Sequence, residues 1–180
     1  SNLTNLQILR LWDNQVSDIS PISNLVSLKN LHFLGNPVSD ISSVSNLTNL
    51  EYLDFRETQV SDISALSTLI NLGRLYFYNA QVSDISPLVI NKGLSTGDYI
   101  NMVYNYLDLT EGSQDMQDIQ TLIDRGVDVD YEPQQNIFPD APTLSCSTYY
   151  PSSGTDYDLT WTDVSDGYEI EESEYSNFSS

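Results

Sequence analysis

Five columns of apolar residues recur along the first half of the chain at a spacing of 22 positions. Leu6, Leu28, Leu50 and Leu72 align, and so do Leu9, Leu31, Leu53 and Leu75. The third column is Leu11, Phe33, Phe55 and Phe77; the fourth is Val16, Val38, Val60 and Val82; the fifth is Ile19, Ile41, Ile63 and Ile85. Self-similarity at a fixed period of about 20–50 residues marks stacked supersecondary units, none of which can bury its apolar edge alone. Each coil must therefore cover the next, and no single deep core is needed. The units run 1–22, 23–44, 45–66 and 67–88.

Within a unit the order L-x-x-L-x-L-x-x-N reads as a leucine-rich repeat. The wording N-L-T-N-L followed by V-S-D-I-S-P-L resembles the short repeats of bacterial internalin-like surface proteins, over roughly the first 110 residues. That resemblance implies an α/β solenoid: a right-handed leucine-rich-repeat arc with a parallel β-sheet on its concave face. It also implies non-catalytic recognition of a protein or carbohydrate through that face, in a secreted or surface-displayed protein.

Side chains alternate across a strand. In the first unit Leu9 and Leu11 should face inward, with Ile8, Arg10 and Trp12 outward. Asn14 and Asn36 follow the strand and should sit in the turn, where a side-chain amide can bond the backbone of neighbouring coils. Thr58 and Ala80 break that column, which predicts a weaker ladder at two coils, and Asn105 restores it. Asp18, Asp40, Asp62 and Asp84 each precede I-S, and a carboxylate there is placed to cap a helical turn. Calcium is the alternative for this column, but one carboxylate per coil spreads the ligands too far apart.

Beyond position 88 the register stretches. An insertion over 89–97 leads to a fifth strand with Ile100 and Met102 inward and Leu107 in the valine column. Residues 112–125 read as a helix, with Ser113 as N-cap, Met116, Ile119, Leu122 and Ile123 on one apolar face, and Gly126 as the stop. A last strand over 127–131 completes a C-terminal cap. Asp128, Asp130 and Glu132 share a face of it and are read as solvated acids rather than a calcium site.

The array is thus expected to fill 1–131, followed by a proline-bounded linker at 132–139. From 140 to 180 the wording A-P-T-L-S…Y-D-L-T-W-T-D-V-S-D-G-Y-E-I-E-E-S resembles the opening strands of a fibronectin type III module, with Trp161 packing against Tyr168. A sandwich of that class needs about seven strands, so this segment is read as a truncated one. At the other end the first unit presents Leu3, Leu6, Leu9 and Leu11 without the polar cap that solenoid ends require. The sequence therefore predicts further chain before Ser1, and with it a signal peptide outside the segment.

The formal net charge of -20 argues against nucleic acid, whose binders carry basic faces. No apolar run reaches the ~20 residues of a membrane span. Cys146 is the one cysteine and His32 the one histidine, too few for a Cys/His metal site. No histidine lies near Cys146 in sequence. His32 has Asp54 in the next coil, but no serine stands beside them, so a triad lacks its nucleophile. We assign no catalytic residue, cofactor or metal.

The outward positions form three columns: Ile8, Asn30, Tyr52, Arg74 and Tyr99; Arg10, His32, Asp54, Tyr76 and Asn101; and Trp12, Leu34, Arg56, Tyr78 and Val103. Arg10, Arg56 and Arg74 are three of only six cations in the chain. Trp, Tyr and Arg are the residues that dominate protein interfaces. The predicted ligand-binding face is therefore Arg10, Trp12, His32, Tyr52, Asp54, Arg56, Arg74, Tyr76, Tyr78 and Tyr99. Strand spacing should let Tyr52 stack under Arg74, and Arg56 beside Tyr78. Replacing Arg56 and Tyr78 should abolish binding with unfolding nearly unchanged. A targeting arm of a secreted enzyme and a structural spacer remain as alternative readings.

Overall fold

In a computed structural model of the chain, residues 3–135 are described. Six short strands, β1 (Ile8–Arg10), β2 (Asn30–His32), β3 (Tyr52–Asp54), β4 (Arg74–Tyr76), β5 (Tyr99–Asn101) and β6 (Asp128–Asp130), form one sheet in sequential order. Every neighbouring pair is parallel, and Leu9, Leu31, Leu53, Leu75, Ile100 and Val129 lie in one row. Parallel strands require a long crossover, and here one whole coil serves. The fold is a leucine-rich-repeat arc, as the period implies.

The inward columns stack into a continuous core. Phe33, Phe55 and Phe77 are fully buried, with successive ring centroids 6.0 and 5.4 Å apart and planes within 14°. The valine, isoleucine and remaining leucine columns close around them. In the first coil Leu6, Leu9, Leu11 and Val16 are only partly buried against this core, and Leu3 is exposed.

The return path of each coil contains a short helical turn: 3-10 turns at Ser20–Ile22, Ser42–Asn46 and Ser64–Thr68, then α1 (Ser86–Ile90). The repeated aspartates start these turns. Asp18, Asp40, Asp62 and Asp84 accept the N–H of Ser20, Ser42, Ser64 and Ser86 at 2.7–2.8 Å. The boundary residue itself is Ile19, Ile41, Ile63 or Ile85, so the carboxylate reaches over it from one position earlier. A second turn, after each strand, needs left-handed backbone at one position. Asp13, Gly35, Glu57, Asn79 and Tyr104 hold it with φ between 52° and 66°, four of the five without glycine's freedom.

The insertion at coil five is built on a substitution in the core. Asn91 takes the place that Leu47 and Leu69 fill in earlier coils and is fully buried. Its amide donates to the Leu66 and Leu69 carbonyls and its oxygen accepts from Gly93 N–H. Gly93 passes so close to coil four that an added Cβ would sit 1.9 Å from the Ile70 oxygen. Helix α2 (Gln114–Asp124) then covers the end of the core, with Ser113 Oγ accepting from Met116 N–H at 3.2 Å. Ile119 and Leu122 are buried as predicted, but Ile123 is 40% exposed and Asp118 is buried in its stead. Arg125 fixes the helix by donating to the Val89 and Asn91 carbonyls.

The segment read as a linker starts out attached to the array. The Gln134 side chain accepts from Asn105 and Leu107 N–H and donates to the Met102 carbonyl. It does for coil six what the turn asparagines do for earlier coils. Gln135 donates to Asn79 and the Tyr104 carbonyl. The expected fibronectin-like strands, with Trp161 and Tyr168, and Cys146 lie outside the described residues.

Candidate ligand-binding face

The strand register assembles the outward columns as read from the sequence. Ile8, Asn30, Tyr52, Arg74 and Tyr99 are neighbours in one row, and Arg10, His32, Asp54, Tyr76 and Asn101 in the next. β6 extends these rows with Asp128 and Asp130. The third column lies just past the strand ends, where ladder bonds continue: Asp13 N–H to Leu34, Gly35 to Arg56, Glu57 to Tyr78 and Asn79 to Val103.

The centre of the face is an aromatic ladder that zigzags between the two rows. His32 packs on Tyr52 with centroids 4.6 Å apart, Tyr52 on Tyr76 at 5.2 Å, and Tyr76 on Tyr99 at 5.4 Å. Tyr52 therefore does not stack under Arg74; its faces are occupied by His32 and Tyr76, and Arg74 is left exposed. Alternating sides let bulky rings meet on the diagonal between strands, which a column-by-column reading misses.

Arg56 lies over the rings of Tyr76 and Tyr78 at 5.7 and 5.2 Å. Below it Asp54 is 1% exposed, so this carboxylate presents no surface to a ligand. Both of its oxygens receive Arg56 in a two-pronged pair, Nε to Oδ1 and Nη2 to Oδ2 at 2.8 Å each. The pair holds the guanidinium against the two tyrosine rings. It also overturns the expectation that Arg56 can be replaced at little cost. Removing one member of a largely buried pair costs about 3 kcal/mol.

His32 and Asp54 do not form a hydrogen-bonded dyad. His32 Nδ1 stands 3.8 Å from Asp54 Oδ2, which is engaged by Arg56. Desolvation lowers the imidazole's pKa; Asp54 opposes this, and Arg10 adds to it. The lowering favours the neutral ring, which packs as an aromatic on Tyr52. Tyr78 donates its hydroxyl to Glu57 at 2.8 Å, and Tyr99 donates to Asp130. Burial, then the bond to Asp130, raises the Tyr99 phenol above its ordinary pKa; for Tyr78 the bond to Glu57 comes first.

Charge is distributed unevenly along the arc. Arg10 and Arg74 are exposed in the first four coils, whereas Asp128 and Asp130 end the same rows. The face is basic toward its start and acidic toward β6. Trp12 is 52% exposed at the starting edge. Asn101 Oδ1 is buried without a hydrogen-bond partner among the described residues. β6 and its acids were read in sequence as a cap and not as part of this surface.

Fold and face together define a leucine-rich-repeat solenoid with a prebuilt aromatic surface on its sheet. Residues 4–46 and 48–89 match the family model of Leucine Rich repeats (2 copies). The structure is similar to that of internalin C2 from Listeria monocytogenes, at 26% identity and a TM-score of 0.61, over 72% of this chain and 53% of that one. It is also similar to an internalin (inlF) from the same organism, at 30% identity and a TM-score of 0.52, over 74% of this chain and 43% of that one. The chain thus spans about half the length of these internalins. No curated protein sequence matches it. No helix of the described residues is long and apolar enough to cross a membrane.

Proposed function

We propose that the array is a non-catalytic recognition module that binds a protein partner through the concave face of its sheet. The observation that carries this reading is the aromatic ladder from His32 to Tyr99, partly exposed and packed beside a guanidinium that a buried carboxylate fixes. Ordering flexible side chains is a main cost of association, and here most of it has been met before a partner arrives. The opposed charges at the two ends of the rows would set the partner's orientation, since complementary potentials favour one register.

Display outside the cell is part of the same proposal. Its supports are the resemblance to internalins and the acidity of the whole chain. The segment 140–180 is proposed as the opening of a fibronectin type III-like module after the array, on its sequence wording alone.

The test is a double variant that interrupts the ladder without touching the Asp54–Arg56 pair. Tyr52→Ala with Arg74→Glu should lose the partner that the wild-type chain retains from an extracellular protein fraction, identified by mass spectrometry. Stability should fall by only about 1 kcal/mol, the scale of cross-strand pairs. Retention of every wild-type partner by this variant would sink the concave-face reading.

A further inference from the structure

Arg10, Lys29, Arg56, Arg74, Lys92 and Arg125 are the six cations of the chain. Four of them are engaged within the fold. Lys29 pairs with Glu51 at 2.7 Å and Arg56 with Asp54 at 2.8 Å. Lys92 donates to the Val89 carbonyl, and Arg125 to the Val89 and Asn91 carbonyls. Arg10 and Arg74 make no ion pair and no side-chain hydrogen bond among the described residues, and both are exposed. The chain holds 26 acidic residues, yet the two guanidiniums left unpaired both stand on the concave face.

The surface between them offers donors and little that accepts. Arg10 stands close enough to His32, and Arg74 to Tyr52, for its charge to bear on the ring's ionisation. The hydroxyls of Tyr78 and Tyr99 are taken by Glu57 and Asp130, whereas those of Tyr52 and Tyr76 meet no acceptor among the described residues. Asp54 is the one carboxylate in the rows of β1 to β4, and it is buried with both oxygens held by Arg56. This end of the face therefore presents positive charge and O–H donors around an aromatic floor. An apolar partner surface would strip water from the guanidiniums without pairing them, and a basic one would be repelled. A long polyanion would run on to Asp128 and Asp130, which end the same rows.

We propose that the concave face takes an acidic segment of its partner: extended polypeptide with two carboxylates about four residues apart, one meeting Arg10 and the other Arg74. The inference rests on the concave-face reading and states which chemistry that face selects. Arg10 lies on β1 and Arg74 on β4, three strand spacings or about 14 Å apart. Extended chain covers that span in about four residues. Each guanidinium can hold a carboxylate by two parallel bonds. The residues between would lie over Tyr52 and Tyr76, where apolar or aromatic side chains pack on the rings and backbone carbonyls meet the tyrosine hydroxyls. Trp12, exposed two residues beyond Arg10, extends the apolar floor at that end. The acids of β6 fix the direction, because the segment's carboxylates are repelled there.

In the experiment, phage-displayed random peptides of about twelve residues, long enough to cross the sheet, are panned on the immobilised full chain. The recovered pool should be enriched over the starting one in pairs of Asp or Glu about four residues apart with an aromatic or apolar residue between. The most frequent peptide, synthesised and titrated into the 15N-labelled full chain, should shift the backbone amides of β2, β3 and β4. Arg10→Gln with Arg74→Gln should weaken it about tenfold, the sum of two exposed pairs. The melting temperature should barely change, because neither side chain bonds within the fold. Replacing the peptide's two acids by Gln should cost the same factor, with no further loss on the double variant. A pool without acid enrichment whose peptides shift the same strands would overturn the acidic segment and leave the concave-face reading standing. Peptides that bind elsewhere would overturn both. Recovery of no peptide, equal affinity of wild type and double variant, or tighter binding of a chondroitin sulfate hexasaccharide to these strands would each overturn the proposal.

Discussion

The rungs at Asn36 and Asn105 and those at Thr58 and Ala80 occupy the same place in successive coils, yet only the first two are stitched to their neighbours. The strands on either side keep an unbroken register through the gap. Phe55 and Phe77, beneath the defective rungs, are the most closely stacked pair of the phenylalanine column. Apolar burial therefore holds the coils together, and the polar ladder is a local reinforcement that can lapse over two coils.

The largest effect should come from the apolar column. Phe55→Ala removes a fully buried ring from between two others and should cost about 4 kcal/mol in urea unfolding. A smaller loss is expected at an intact rung. Asn105→Ala leaves the Val82 N–H without its acceptor and the Phe77 carbonyl without its donor, at about 2 kcal/mol. Thr58→Ala gives up one bond and should cost about 1 kcal/mol. Equal costs for Asn105→Ala and Thr58→Ala would erase the distinction between intact and broken rungs.

The smallest effect concerns the other polar column, which has no gap. Bonds from the serine N–H groups hold the Asp18, Asp40 and Asp62 carboxyls below their ordinary pKa. A folded-state pKa lower than the unfolded one gives stability that is present above the unfolded value, about 3.9, and lost as pH falls through the folded one. Asp115 acts in the opposite sense: burial raises its pKa, so its penalty at neutral pH is relieved on acidification. The variant Asp18→Asn, Asp40→Asn and Asp62→Asn keeps an acceptor oxygen in each turn. Its melting temperature should lie slightly below the wild type's at pH 7 and decline less steeply below pH ~4. An unchanged acid limb would mean that these turns do not couple to folding.

Much of the face was legible because a 22-residue period fixes parallel register by itself. Once Leu53 and Leu75 share a column, Tyr52 must neighbour Arg74 and Asp54 must neighbour Tyr76. What the columns could not convey is side-chain direction. Tyr52 leans diagonally to Tyr76 and His32, leaving Arg74 exposed, because rings on alternating rows fill the space between strands. Asp54 read as a surface acid and is instead covered by Arg56, two residues on, since a planar guanidinium matches both carboxylate oxygens. Gln134 was read as linker for a similar reason: its part in the ladder depends on the chain folding back over coil five.

The sequence by itself determined the coil: its length, its inward columns, its aspartate turns and the two places where the asparagine ladder fails. These follow from short-range chemistry repeated at a fixed interval, so one unit predicts the next. Only the tertiary structure decided how unlike neighbours share space. It assembled four rings into one zigzag ladder, buried Asp54 under Arg56, and set Asp128 and Asp130 at the end of the arginine rows. Each of these depends on residues a coil or more apart whose side chains compete for the same volume, and period alone does not settle that competition.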